Sequence, residues 1–367
     1  MARGKGGDPM STTRSNARKA APSEPATWVL GKLLGQYTQE SLSTAMAQLL
    51  GGGLGFGAVH APAGSPIRWF VSGRSTWHSD SLYMGSTLER CGLTPDMQQP
   101  ADRQGFEALV SQWAADSELG FVAWVDATCL PWWALPIKER GAWTHPIWVQ
   151  ADGSGSWLVD DQLESPQVMK SADLSAAIFA SGKGRLLRVG QGDLIDVAKA
   201  LRAGLRACVQ NMNAGHTAFG IAGLRRAASV LFDSTAWLAH YPTPLEQCQA
   251  LLDLSRAIKR QGGLMRGAFA DGLTEASAAL VDEELRDLRD DFATLARKWA
   301  GTADACLPGD VILDEVQRVG RWLDGAIYRD EEADNIVHMR ERLMEMKADF
   351  NAESDLSAQD LADHRLQ

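Results

Sequence analysis

Residues 144–161 read THPIWVQADGSGSWLVDD. Two apolar runs, PIWVQ and SWLVD, enclose the hexapeptide ADGSGS. Val, Ile and Trp fit a pleated, half-buried surface, and Asp, Gly and Ser are turn formers. The stretch therefore reads as a β-hairpin. His145 opens its first strand, and Asp160 and Asp161 close its second. Upstream, IRWFV (67–71) and FVAWVD (121–126) add two more strands of the same kind. Ahead of these, WVLGKLLGQY and ESLSTAMAQLL carry apolar residues at helical spacing.

Beyond Gly192 the strand signals end. GDLIDVAKALRAGLRACVQNM places Leu194, Val197, Ala198, Leu201, Leu205 and Val209 on one helical face, with Asp193 as the expected N-cap. PLEQCQALLDLSRAIKRQGG reads as a helix closed by Gly262 or Gly263. DEELRDLRDDFATLARKW repeats Leu285, Leu288, Phe292, Leu295 and Trp299 at bundle spacing, and acidic amphipathic helices follow from 310 to 350. The expected class is α+β. A mixed domain spans 25–189 and an all-α domain spans 192–350. Residues 1–24 read as a disordered basic tail, and 351–367 as a frayed one.

The 367-residue chain is 45% hydrophobic and 22% charged, an ordinary globular composition. Its net charge of −10 argues against nucleic acid as a partner. No apolar run approaches the roughly 20 residues of a membrane helix. The five cysteines form no CxxC pair, so neither a disulfide framework nor a metal cluster is expected, and a reducing cytoplasm fits.

GGGLGFG, residues 51–57, raises the question of a phosphate cradle. Gly53, Gly55 and Ala58 match a loose GxGxx[GA], but that motif needs a strand before it and a helix after it. Here a helical segment precedes the loop, APAGSP follows, and no Walker lysine is present. The competing reading is a close-packing turn beside a cleft, in which Gly53, Gly55 and Phe56 approach a substrate or the first helix.

These segments together carry a resemblance. AMAQLLGGGLGFG, then SGR at 72–74, DATCLPWW, and THPIWVQADGSGSWLVDD resemble the N-terminal domain of the butirosin biosynthesis protein H (BtrH) family. FGIAGLRRAAS (219–229) and GGLMRGAFADGLTEAS (262–277) are similar to the helical domain of unknown function that usually follows it. The resemblance covers about residues 25–300. It implies a papain-like first domain and transfer of an acyl group from a carrier protein to an amine. His145 takes the place of the family histidine, with Asp160 as its orienting carboxylate. Asp161 is expected to point the other way. Without the resemblance, His145 reads as a strand-end histidine making a structural hydrogen bond.

The family cysteine is missing. SEPATWVLGKLL stands in its place, and the position falls on Pro25, Ala26 or Thr27. Thr27 is either a helix cap or a weak nucleophile activated by His145. Cys129, after a strand, reads as a small apolar filler. Trp132 and Trp133 either line an acyl pocket or pack in the core. Arg74 either pairs an anion or lies solvated. The expected function is an acyltransferase or condensing enzyme of specialised metabolism. It would join an acyl carrier protein or CoA thioester to a small amine or hydroxyl acceptor, without a cofactor or metal. The alternative is an inactive family member that binds a biosynthetic partner, and a homodimer is the assembly to look for. An acidic carrier would need a local basic patch, which LRAGLRA, GLRR and IKRQGGLMR offer.

Overall fold

A computed structural model describes residues 24–39, 41–60, 69–74, 79–116, 119–137, 140–141, 144–182, 184–241, 243–306, 311–326, 328 and 331–353. The expected tails therefore lie outside the described residues, apart from Glu24 and 351–353. So do the first two residues of the expected strand at 67–71.

The first half runs α1 (Pro25–Gly35), α2 (Thr44–Leu50), β1 (Gly57–His60), β2 (Trp69–Ser72), α3 (Asp80–Arg90), β3 (Thr94–Gln98), α4 (Arg103–Asp116) and β4 (Phe121–Asp126). It continues through β5 (Thr144–Ala151), β6 (Ser156–Asp160), β7 (Gln167–Lys170), α5 (Ser171–Ala180) and β8 (Leu186–Gln191). The rest of the described chain is helical: α6 (Val197–Met212), α7 (Gly220–Phe232), α8 (Ser234–His240), α9 (Pro244–Arg260), α10 (Arg266–Leu280), α11 (Glu284–Ala305), α12 (Val311–Ala326) and α13 (Ala333–Glu353). The class is α+β, and no described helix is long and apolar enough to cross a membrane.

Six strands form an antiparallel sheet in the order β3-β8-β4-β5-β6-β7. The hairpin at 144–161 is its β5–β6 pair, with Trp148 opposite Asp160 and Val149 opposite Val159. Asp152 closes its turn by accepting from the Ser154 and Ser156 amides, and Gly153 and Gly155 supply the positive φ. Side chains alternate across this sheet. Val122, Trp124, Trp148 and Leu187 face a core shared with α1, α2, α3, α6 and α10. Phe121, Val125, Ile147, Val149, Trp157 and Val159 face the core under α4 and α5.

The helical half is not packed apart from the first. Phe269, Leu273 and Ala276 of α10 belong to the same core as Leu49 and Leu50 of α2. The β1–β2 ribbon lies among later helices, where Phe56, Trp69 and Val71 pack with Trp237, Tyr241, Leu254 and Ile258. Thr243 caps α9 with a full capping box to Glu246. The cap of α6 is Asp196, not Asp193 as expected, because the side chain that accepts from the third helical N–H must stand three residues before it, at Lys199.

Candidate functional site

β5 delivers His145 to the α5 side of the sheet, where the ring is buried. Its Nε2 donates to Asp161 Oδ1 at 2.6 Å. The other carboxylate oxygen, Asp161 Oδ2, accepts both Trp132 Nε1 (2.9 Å) and Trp133 Nε1 (2.8 Å). Three donors thus fix one buried carboxylate, which holds the imidazole in the tautomer protonated on Nε2. The Trp133 ring also meets His145 edge-on, with centroids 4.8 Å apart. Asp126, at the end of β4, positions the loop that carries both tryptophans. Its carboxylate accepts from the Thr128 amide and hydroxyl and caps the 3₁₀ turn at Ala127–Cys129.

The orienting residue is therefore Asp161, and the expectation for Asp160 is corrected. Odd positions of β5 face odd positions of β6, so Ile147, Val149, Trp157 and Val159 share a face. Asp161 continues that face toward His145. Asp160 lies on the opposite face and pairs with Lys32 of α1 at 2.9 Å.

A second constellation lies at the start of α1. Glu24 is the N-cap, and its Oε2 accepts both the Thr27 amide and the Thr27 hydroxyl, each at 2.8 Å. Arg74, buried, reaches Glu24 at 3.2 Å and Asp80 at 2.5 Å and lies over the Tyr83 ring. Burial works to raise the Glu24 carboxyl, but Arg74 and the Thr27 donors outweigh it and leave the pKa lowered. At Asp80 burial wins, and the pKa is raised despite Arg74. His145 is close enough to act on the Asp80 carboxyl, so the two constellations share one electrostatic neighbourhood. The two roles weighed for Thr27 both change. It is the capped residue, not the cap, and its hydroxyl is committed to Glu24 and not to His145. Arg74 pairs with internal carboxylates and is no solvated loop residue.

The glycine stretch packs the molecule together. A Cβ on Gly51 or Gly53 would overlap the Tyr83 phenol or Gln48. Gly55 donates to the Gly73 carbonyl at 2.7 Å and accepts from Arg266 Nη2 at 2.7 Å. Phe56 is buried and stacks on Trp299. Gly53, Gly55 and Phe56 are thus interior residues, and the expectation that they line a substrate cleft is corrected. Arg266 is itself buried and, among the described residues, bonds to the carbonyls of Gly55, Gly73 and Leu264. Burial lowers its pKa to about 10.

Several residues close over the dyad. Arg340 of α13 donates to the Trp133 carbonyl, and Trp133 packs against the Ala326 and Ile336 cluster, as do Trp322, Leu323 and Tyr328. Burial raises the Tyr328 phenol, and the Asp161 charge adds to the effect. Trp132 lines a groove of about 390 Å³ with Cys129, Pro131, Val168 and Met169. Cys129 is half-buried and accepts from Arg140. Burial pushes the Cys91 and Cys208 thiols up to about 11 and Cys306 to about 12, so none supplies a thiolate near neutrality. Among the described residues no group of His, Cys, Asp and Glu is arranged to hold a metal.

Asp161, Glu24 and Asp80 were missed as site residues. For Asp161 the strand parity was a usable signal. For Glu24 and Asp80 there was none, because their role depends on Arg74 arriving from a distant loop. Comparison with known proteins adds one match: a family described only as a domain of unknown function, DUF4872, over residues 167–331. No curated protein matches the chain.

Proposed function

We propose that this chain is a papain-like, BtrH-like protein of natural-product biosynthesis that binds an acyl carrier protein or a related thioester without forming an acyl-enzyme. The observation that carries this reading is the start of α1. A papain-like nucleophile relies on the positive end of its helix to favour the thiolate. Here Glu24 already occupies that end with its own carboxylate, neutralised by Arg74 and bonded to Thr27. A histidine at the head of β5 and a carboxylate after β6 support the papain-like resemblance. The DUF4872 match supports the helical domain of unknown function in the second part. The same dyad is only 6% exposed at His145 and is roofed by Trp133, which favours binding over turnover.

A second reading rests on one residue. Asp161 holds His145 by Nε2, and the other ring nitrogen, Nδ1, would then be the base for an amine attacking a bound thioester directly. The discriminating experiment offers acyl-CoA and acyl-carrier thioesters with amine acceptors to the purified protein and to His145→Ala. Saturable binding in both, with product formation equal to the protein-free rate, supports the binding reading. Turnover that disappears in His145→Ala replaces it with direct transfer.

A further inference from the structure

Residues 197–232, which form α6, α7 and their connection, contain Lys199, Arg202, Arg206, Arg225 and Arg226 and no Asp or Glu, in a chain whose net charge is −10. All five side chains are exposed. Lys199, Arg202 and Arg206 are spaced three and four apart and lie on one face of α6, continued by Val209, which is 61% exposed. On α7, Ile221 and Phe232 lie on the exposed face that also carries Arg225. Lys199, Arg202, Arg206 and Arg225 enter no ion pair among the described residues. Elsewhere in the described chain arginines commonly find carboxylates: Arg74, Arg188, Arg256 and Arg318 all do. A cationic stripe left unpaired in an acidic molecule, and continued by the exposed Val209, has the composition of a docking face.

We propose that the exposed face of α6 binds an acidic amphipathic helix of a protein partner. The cations from Lys199 to Arg206 span about 10.5 Å along the axis. Carboxylates at the same three- and four-residue spacing on a facing helix meet them in register, while Val209 meets its apolar edge. A polyphosphate or an anionic bilayer fits less well, because the acidic remainder of the molecule repels an extended anionic surface. Charge and exposure on α6 define this surface independently of the dyad.

The test measures fluorescence anisotropy of a labelled helical peptide with Glu at three- and four-residue spacing and Leu on the adjoining edge. Controls are a scrambled peptide of equal charge, phosphatidylserine vesicles and a short DNA duplex. The spaced peptide is expected to bind best, and to weaken as salt is raised. Lys199→Glu/Arg202→Glu/Arg206→Glu is expected to weaken it about tenfold or more, and Arg202→Gln/Arg206→Gln by less. Lys298→Glu on α11 should leave binding unchanged, and unaltered melting of each variant reports an intact fold. The proposal is overturned if the triple reversal binds as the wild type does, or if the scrambled peptide, vesicles or DNA bind as tightly. Apo and acylated carrier proteins, measured alongside, separate the two readings. Equal binding of both keeps this surface and removes the thioester from the proposed function.

Discussion

Replacing Arg74 by Met removes the cation bonded to both Glu24 and Asp80 while keeping most of the side-chain volume. Breaking a buried ion pair by deleting one partner costs about 3–5 kcal/mol, because the remaining charge is left uncompensated. The Glu24 and Asp80 side chains keep 23% and 26% of their surface in solvent, so the lower end, about 3 kcal/mol, is expected. Urea unfolding at pH 7 reads this as a lower midpoint with an unchanged slope. The effect must also depend on pH. In the wild type Glu24 has a lowered pKa, so its contribution is present above its ordinary value and fades only in acid. Without Arg74 both carboxyls titrate nearer neutrality, and protonation relieves the variant first. The gap between wild type and variant should therefore narrow from pH 7 to pH 5. The triple variant Arg74→Met/Glu24→Gln/Asp80→Asn should recover part of the loss. A loss below about 1 kcal/mol, or a gap that ignores pH, refutes the reasoning, since either places the carboxylates in bulk-like water.

Trp132→Phe and Trp133→Phe each remove one donor from Asp161 and are expected to cost about 1–2 kcal/mol in urea unfolding. The double variant should lose more than the sum, and strict additivity contradicts a shared acceptor. His60 stacks on His240 and bonds Tyr241, and burial lowers its pKa to about 4. The unfolded state then binds more protons, so stability should fall as pH falls from about 6.5 toward 4. His60→Gln should flatten that slope, and an unchanged slope assigns it to other groups. Gly204→Ala would drive a Cβ into the Leu49 carbonyl, whereas Gly215→Ala meets open space. The first should lose roughly 2 kcal/mol or more and the second almost nothing. Equal melting temperatures contradict the close approach of α6 to α2.

The hairpin was legible because turn chemistry and strand composition agree over residues 144–161. The same agreement made His145 visible, and α6, α9, α11 and the helices after 310 follow from their periodicity, whereas α7, α8 and α10 were not read from it. β3, β7 and β8 were not legible, since Thr94–Gln98 and Gln167–Lys170 are short edge strands whose pairing is set by neighbours far along the chain. The choice between Asp160 and Asp161 turned on parity, which becomes readable once Trp157 and Val159 are recognised as the core face. The glycine stretch could be read as a packing loop but not located, because Arg266, Tyr83 and Trp299 reach it from separate helices. The role of Arg74 needed Glu24 and Asp80 in three dimensions.

The central claim is that the dyad survives without a nucleophile. Intact-mass spectrometry of the full-length protein, after incubation with an excess of acyl-CoA or acyl-carrier thioester, tests it most directly. The account expects an unmodified mass, with thioester loss equal to the protein-free control. An acyl adduct that maps to Thr27 or Cys129 and is absent from His145→Ala would contradict it, because a covalent nucleophile would then be at work.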